Sequence, residues 1–355
     1  MKGGARAAAG VAREGTRMVR VGLLGAGNVV EALHLPVLSG LPGVEVAWVC
    51  DTDTARARAL ASTYGIPHVF GSLDECSDVD AVLVAIPVGA RRGALEKILA
   101  RRWHAFCEKP FAPTLQDHEW IVAEARRRKV RLGVGLVRRH YASVTLARDW
   151  LGSGVLGPLK TILGGEGARV RHTGRAGDWY QANAQASGGG VLFEAGPHLV
   201  DQVFTICHVE DFRIDHCRQK VLNGVEFETS VRGSLVAEGG RPVPFALVVS
   251  QLHDVYNGIV VRCQNGELRL GAAPHGATEI YGRHGRLVGR LGGSAASEGE
   301  AFGAAVRAEW REFLDACARS AEFGDWDTGR LTTAFIEACY RFDVARAETV
   351  SGLHS

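Results

Sequence analysis

Val19 to Asp51 reads VRVGLLGAGNVVEALHLPVLSGLPGVEVAWVCD. The apolar run Val19 to Leu24 has the length and composition of a buried strand. Gly25-Ala26-Gly27 then makes a tight turn, and an apolar helical pattern follows. A second apolar run, Val44 to Cys50, ends on an acid, Asp51. Strand, glycine turn, helix, strand and acid, in that order, is the arrangement of a dinucleotide site. Gly25 permits the turn. Gly27 lets the backbone approach a pyrophosphate, and the opening N–H groups of the next helix face it. Asp51 would accept hydrogen bonds from the adenosine ribose hydroxyls. In a chain with 45 glycines a Gly-x-Gly alone carries little, so the flanking elements carry the reading. The third glycine position of the fingerprint is Val30, which predicts looser packing of the first helix on its strand.

The alternation continues downstream. Thr54 to Tyr64 is helical, with a Thr or Asp cap and Gly65 at its end. Val69-Phe70 is a short strand. Asp80 to Ile86 (DAVLVAI) is the continuous apolar run of a parallel strand covered on both faces. Pro87 stops it. A helix from Ala90 to Arg101, a strand from His104 to Cys107, a helix from Leu115 to Arg128 and a strand from Val130 to Leu136 follow. This predicts an α/β domain with a parallel, doubly wound sheet over residues 18–137.

The pattern then changes. Ser143 to Leu151 is helical and Leu159 to Gly165 extended. Between Asp211 and Leu291 the chain reads as alternating strands: Arg218–Leu222, Glu226–Leu235, Val243–Gln251, Asn257–Cys263, Gly266–Leu270, Thr278–Tyr281 and Gly285–Val288. Asn265-Gly266 is a hairpin signal. Helical periodicity returns at Ala301–Ala318 and Thr328–Ala347. Residues 138–355 are thus expected to form an α+β domain with an antiparallel sheet. Residues 1–17 carry four basic residues and no continuous apolar core. They read as a disordered extension, with Met18 as an alternative start.

The composition excludes several classes. Hydrophobic content of 46% with 23% charge fits a globular protein long enough for two domains, and a formal charge of +2 gives no argument for nucleic acid or membrane. No apolar stretch is long enough to cross a bilayer. The eight cysteines form no C-x-x-C pair and several sit in apolar runs, as buried thiols do in a reducing cytoplasm. Cys207-His208 and His216-Cys217 are adjacent pairs whose side chains diverge, so no metal site is expected.

Two further stretches carry chemistry. Glu108-Lys109-Pro110 lies at the C-terminal end of a predicted parallel strand, the edge where open α/β sheets bind ligands. A lysine there can hold a substrate hydroxyl or relay its proton, and a cis or turn-forming Pro110 would fix its direction. The second stretch runs from Gly188 to Asp201, GGGVLFEAGPHLVD. Its three glycines allow close backbone approach. Pro197 suits the first residue of a helix. His198 then falls in the first turn, near the positive helix end, where a neutral imidazole is favoured and can act as a base. Asp201, three residues on, could orient the ring, and Glu194 lies just outside the helix.

The GAGN turn, the acid after the second strand, the EKP after the fifth and GGGVLFEAGPHLVD together resemble the glucose–fructose oxidoreductase / inositol dehydrogenase / rhizopine catabolism (Gfo/Idh/MocA) family. The likeness covers about residues 18 to 350, and Gly154-Val155-Leu156-Gly157 resembles that family's run into its second domain. It implies a Rossmann domain followed by a domain with a large open, mainly antiparallel sheet. It implies NAD(P)-dependent interconversion of a secondary alcohol and a ketone on a sugar, sugar nucleotide or cyclitol. Lys109 matches the motif lysine and His198 the catalytic histidine. Glu194 stands where an aspartate is common, so its carboxylate reaches one methylene further. Arg91-Arg92 stand where many members carry a histidine. Arg138 falls in an arginine-bearing stretch lining many family pockets, and Tyr141, Trp179 and Tyr180 could add walls for a ring.

The resulting expectations are a catalytic group of Lys109, His198, Glu194 and Asp201. The expected dinucleotide-facing set is Gly25, Gly27, Asn28, Val29, Asp51, Ile86, Pro87, Glu108 and Lys109. The substrate set is Arg138, Tyr141, Trp179, Glu194 and His198. Asp51 would repel a 2′-phosphate, which favours NAD(H), although Arg56 and Arg58 leave NADP(H) open. A homodimer or homotetramer is expected from the open sheet. A glycoside-cleaving member that recycles its cofactor and a non-catalytic dinucleotide or sugar sensor remain alternatives.

Overall fold

The computed structural model describes residues 18–169, 189–222, 224–237, 239–293, 295–318 and 328–351, with side chains to residue 342 in the last segment. Residues 1–17, Trp179, Tyr180 and Gly188 lie outside the described residues.

The first sheet is parallel. It comprises β1 (Val19–Leu24), β2 (Val44–Cys50), β3 (His68–Phe70), β4 (Ala81–Val84), β5 (His104–Cys107) and β6 (Leu132–Val134), in the spatial order β3-β2-β1-β4-β5-β6. This is the doubly wound order with a reversal between β1 and β4, where such sheets bind ligands. Register aligns the elements of the site. Leu24 pairs with Cys50 and with Val84, and Val84 pairs with Cys107. The segments that follow these residues, at Gly25, Asp51, Ala85 and Glu108, therefore share one edge.

Helices α2 (Thr54–Tyr64), α3 (Val88–Ala100) and α4 (Leu115–Arg128) connect the strands. Asp53 caps α2 by accepting from the Arg56 N–H, and Gly65 ends it at φ +69°. Thr114 caps α4 through the Asp117 N–H. After the glycine turn the chain makes a π-helical turn, Val30–His34, before the short α1 (Leu35–Leu38). Val30 is fully buried in the slot that favours Gly or Ala, and the helix is widened at that point.

A 3-10 turn, Val137–His140, leads to α5 (Ala142–Gly152) and β7 (Leu159–Gly167). Beyond it come α6 (Val191–Glu194), α7 (Gly196–Cys207), β8 (Val209–Leu222), β9 (Val225–Ala237), β10 (Pro242–Ser250), β11 (Gly258–Cys263), β12 (Gly266–Gly271), β13 (Ala277–Gly282), β14 (Leu287–Gly292), α8 (Glu298–Ala318) and α9 (Arg330–Ser351). The second sheet has eight strands in the order β14-β13-β12-β11-β7-β10-β9-β8. All neighbours are antiparallel except β7 and β10. The β11–β12 connection is Gln264-Asn265, one residue before the dipeptide that signalled it.

The two sheets share a core. One face of the parallel sheet, with Val21, Leu23, Leu83 and Phe106, joins the apolar cluster that runs through α7, β9, β10 and α8. The other face, with Trp48, Val82, Val84 and Cys107, is closed by α3 and α4. Phe106 stacks on Trp310 of α8 with centroids 4.4 Å apart, worth about 0.5–1.5 kcal/mol beyond its buried area. His118 of α4, fully buried, bonds Thr333 at 2.9 Å and Thr328 at 2.8 Å. The last helices thus tie back onto the first sheet. Among the described residues no helix is long and apolar enough to cross a membrane.

Candidate active site

The glycine turn is shaped for a phosphate. Gly25 has φ +106°, and a Cβ there would meet the Ala85 carbonyl oxygen at 2.5 Å, so only glycine fits. At Gly27 a Cβ would meet nothing within 4 Å. That glycine answers no packing demand and leaves room for an incoming group. The first helical turn begins at Asn28 and Val29, where N–H groups lack intrahelical acceptors. Asp51 Oδ2 accepts from the Ala26 N–H at 2.7 Å and Oδ1 from the Asp53 N–H at 2.8 Å. The acid is thereby fixed beside the turn, half-buried, with lone pairs left for hydroxyls. These residues fit a dinucleotide.

Ile86 and Pro87 lie on the same edge, but the Ile86 carbonyl is occupied by Arg91 Nε at 3.0 Å. Arg91 also donates to the carbonyls of Glu108 and Pro110 and is 4% exposed. Its guanidinium pins together the ends of β4 and β5. The Lys109–Pro110 peptide is cis. The Glu108 side chain turns away from the edge. It is 7% exposed and bonds His34 Nε2 at 2.8 Å and the Lys109 N–H at 3.0 Å. The carboxylate thus serves the interior.

Lys109 Nζ donates to the Glu194 carbonyl oxygen at 2.9 Å. Burial pushes its ammonium pKa down, while Glu108, Glu194 and Glu166 oppose the shift. His198 sits in the first turn of α7, its N–H on the Ala195 carbonyl at 3.1 Å. Its pKa is driven well below the ordinary histidine value, first by burial and then by the charges of Lys109 and Arg138. The sequence attributed this direction to the helix end; burial and two cations are the larger causes. Among the described residues the buried His198 Nδ1 has no hydrogen-bond partner.

Asp201 does not orient that ring. Its carboxylate, 2% exposed, takes Arg139 Nε at 2.8 Å and the other arm of the same guanidinium. A charged fork outcompetes a neutral imidazole for a buried carboxylate. Tyr141 is 4% exposed with its ring edge toward Phe302, and its phenol lies beside Arg138 and Glu166; burial pushes it up to about 12. The close approach allowed by the glycines before Val191 serves the protein itself. A Cβ at Gly189 would meet the Tyr340 hydroxyl at 2.2 Å, and one at Gly190 the Glu226 carbonyl at 2.2 Å.

Arg138 does reach the cluster. It forks onto Glu166 of β7, with Nη1 on Oε2 at 2.8 Å, and touches Gln202 Oε1 at 3.2 Å. Glu194 Oε2 accepts from Gln251 Nε2 at 3.3 Å, and burial raises the Glu194 carboxyl while Lys109 opposes it. Glu166 and Gln251 were missed from the sequence, and Arg91 stood out only as a departure from the resemblance. Only Glu166 carried a local signal, as a lone acid inside Gly164-Gly165-Glu166-Gly167. A mainly apolar cavity of about 430 Å³ touches Lys109, Pro110, Phe193, Pro197 and Tyr340 but excludes His198, Glu194 and Arg138. The polar cluster and that cavity thus share Lys109 but are otherwise distinct. Among the described residues no His/Cys/Asp/Glu group could hold a metal ion.

Residues 19–136 match an oxidoreductase family with an NAD-binding Rossmann fold. The chain is 33% identical over 146 residues to dTDP-3,4-didehydro-2,6-dideoxy-alpha-D-glucose 3-reductase of Streptomyces antibioticus, covering 41% of this chain and 44% of that one. It is 28% identical over 264 residues to the protein of the same description from Streptomyces violaceoruber, covering 73% and 75%. The likeness thus spans less than half the length of the first relative and three quarters of the second. A solved 3-ketoreductase from Actinomadura kijaniata, in complex with NADP and TDP-benzene, shares the fold at TM-score 0.74 and 21% identity. That match covers 90% of this chain and 96% of that one.

Proposed function

We propose, from the match of residues 19–136 to an oxidoreductase family with an NAD-binding Rossmann fold, that the chain interconverts a secondary alcohol and a ketone on a sugar, sugar nucleotide or cyclitol. The observation that carries this reading is Lys109 at the end of β5, held on the carbonyl of Glu194 four residues before His198 and near enough for its charge to act on that ring. The Lys109 ammonium is anchored on the Glu194 carbonyl, and its charge helps hold His198 neutral. A bound nicotinamide would supply or accept the hydride. His198 takes the proton of the substrate hydroxyl on oxidation and returns it on reduction. Lys109 donates to the substrate oxygen as negative charge develops there. Glu194, beside Gln251, receives a second hydroxyl. Two cations, Lys109 and Arg138, face two carboxyl groups, Glu166 and Glu194. Such a balanced cluster suits the neutral polyhydroxyl ring of a substrate better than a phosphate.

We favour NAD(H) over NADP(H), because the Asp51 carboxylate beside the glycine turn would repel a 2′-phosphate. A panel of sugars, cyclitols and sugar nucleotides, followed at the NADH absorbance band, tests the reaction. Stoichiometric change is expected; binding without any change in absorbance would refute it. In the same set, NADH should bind about tenfold tighter than NADPH, and Asp51→Ser should narrow that ratio, since a like charge beside a phosphate is removed. A clear NADPH preference in the unaltered protein would reverse the choice.

We further read residues 138–355 as the substrate and assembly domain, pairing through its open sheet as a homodimer or homotetramer. Light scattering at micromolar concentration should return a multiple of the 38.0 kDa chain; a monomer would contradict it.

A further inference from the structure

We propose that Trp310, His34 and Glu108 form a buried positioning chain that sets the place of Lys109, so that α8 takes part in catalysis from a distance. This rests on the assignment of Lys109 to the reaction. The three residues come from widely separated parts of the sequence, and the contacts are continuous. Trp310 Nε1 donates to His34 Nδ1 at 3.0 Å, and His34 Nε2 meets Glu108 Oε1 at 2.8 Å. Glu108 Oε2 accepts the Lys109 N–H at 3.0 Å, and Lys109 Nζ ends on the Glu194 carbonyl at 2.9 Å.

The chemistry of the donors fixes the direction of the chain. An indole N–H can only donate, so His34 Nδ1 must accept and cannot carry a proton. The proton of the ring is then on Nε2, and it is donated to Glu108. His34 is thus a neutral imidazole with an imposed tautomer, and its contact with Glu108 is a hydrogen bond rather than an ion pair. His34 and Trp310 are both 0% exposed, so no water competes for these bonds. Phe106 and Phe313 fix the indole plane: Phe106 stacks on Trp310, and Phe313 meets it edge-on at 5.9 Å.

Packing alone would not require this arrangement. A buried carboxylate is costly unless its oxygens are bonded, and three apolar side chains could fill the same volume. Burial would push the Glu108 carboxyl up. The hydrogen bond from His34, with the cations Lys109 and Arg91 close by, works against that shift and favours the charged form. The carboxylate so maintained has one oxygen for His34 and one for the backbone of the reacting lysine. Its position also joins the two halves of the site. His34 ends the π-helical turn that follows the glycine turn, so the dinucleotide cradle and the lysine loop share one fixed partner.

The test compares His34→Leu, which keeps volume and removes the donor, with His34→Gln, whose amide nitrogen can reach the place of Nε2. Trp310→Phe keeps the ring and removes the indole donor. His34→Leu is expected to lower kcat about 100-fold, the scale of a misplacement of about 1 Å near the chemistry. KM and the NADH dissociation constant should stay within about threefold, and His34→Gln should restore kcat to within about tenfold of the parent. Trp310→Phe should cost about tenfold, as loss of one buried hydrogen bond does; it carries the test where His34→Leu fails to fold. A second readout needs no substrate: the rate of Lys109 acylation, followed by mass spectrometry of the labelled peptide. It should change in His34→Leu and return toward the parent rate in His34→Gln. Parent kcat and parent labelling in His34→Leu would overturn the proposal. So would equal losses in the Leu and Gln variants, which would make His34 a space-filler. If no compound in the panel is turned over, the functional reading fails, and the labelling rates alone decide the chain.

Discussion

Lys109→Met is expected to fold and to lose turnover about a thousandfold, the upper range for removal of one donor to a developing oxyanion. Methionine keeps the length of the side chain and takes away only the ammonium. In the parent that ammonium is held by the Glu194 carbonyl, with Glu108, Glu194 and Glu166 favouring its charged form against the cost of burial. A fixed cation in a water-poor setting needs no reorganisation when charge appears on the substrate oxygen. The variant should also betray its link to His198. Lys109 is one of the charges that depress the His198 pKa, so residual activity should acquire a pH limb closer to the ordinary histidine range. Burial remains the larger cause and is untouched, which makes that shift partial. Turnover within about tenfold of the parent would remove Lys109 from the chemistry. An unmoved pH limb would mean that the two residues do not face one another.

How far the sequence exposed this site depends on the range of the interactions involved. The parallel sheet was legible because its strands are covered on both faces and read as unbroken apolar runs. β4, with AVLV buried throughout, is the clearest case. β8 was not. Its first nine residues, Val209 to Cys217, alternate with charge because it is an edge strand, exposed along most of its length. Only its last five residues, Arg218–Leu222, were read as strand. α7 turns directly into it through His208 at φ +47°, without the Gly or Pro that would announce a break.

The same contrast holds for side chains. Gly25, Gly27, Asp51, Lys109 and His198 belong to short motifs whose backbone geometry is local, and sequence spacing was enough to single them out. The partners that tune them are distant in the chain. Glu166 meets Arg138 across 28 residues and Gln251 meets Glu194 across 57, and no local pattern encodes either pair. Asp201 shows how a local rule misleads. Three residues past His198 on one helix, it was a natural partner by spacing, yet Arg139 from another element offers a charged fork and takes it. Arg91 is the converse. It read only as a departure from a resemblance, whereas its guanidinium occupies three carbonyls at the strand ends.

His198→Asn carries the other large expected effect. Asparagine places an amide near Nδ1 and keeps a polar group in the pocket, so the helix start should survive. It cannot exchange a proton at working pH, and turnover should fall about a thousandfold, within the range that a positioned acid–base group contributes. The sign of the pH dependence follows from the depressed pKa. Burial, Lys109 and Arg138 hold His198 well below the ordinary value of 6.5. The ring is therefore neutral through neutral pH and ready to accept a proton. Oxidation should stay level as pH falls through 6.5 and decline only at lower pH, where the ring finally charges. Reduction needs the proton on the ring, so its rate should climb as pH falls over that same span. Both dependences should vanish in His198→Asn, while NADH binding stays within about threefold of the parent, because the cradle at Gly25 and Gly27 is untouched. An oxidation rate that halves near 6.5 in the parent would mean that His198 titrates as an exposed histidine does. A variant with its acid limb intact would place the proton acceptor elsewhere in the cluster, with Glu194, whose carboxyl burial raises, the group to replace next.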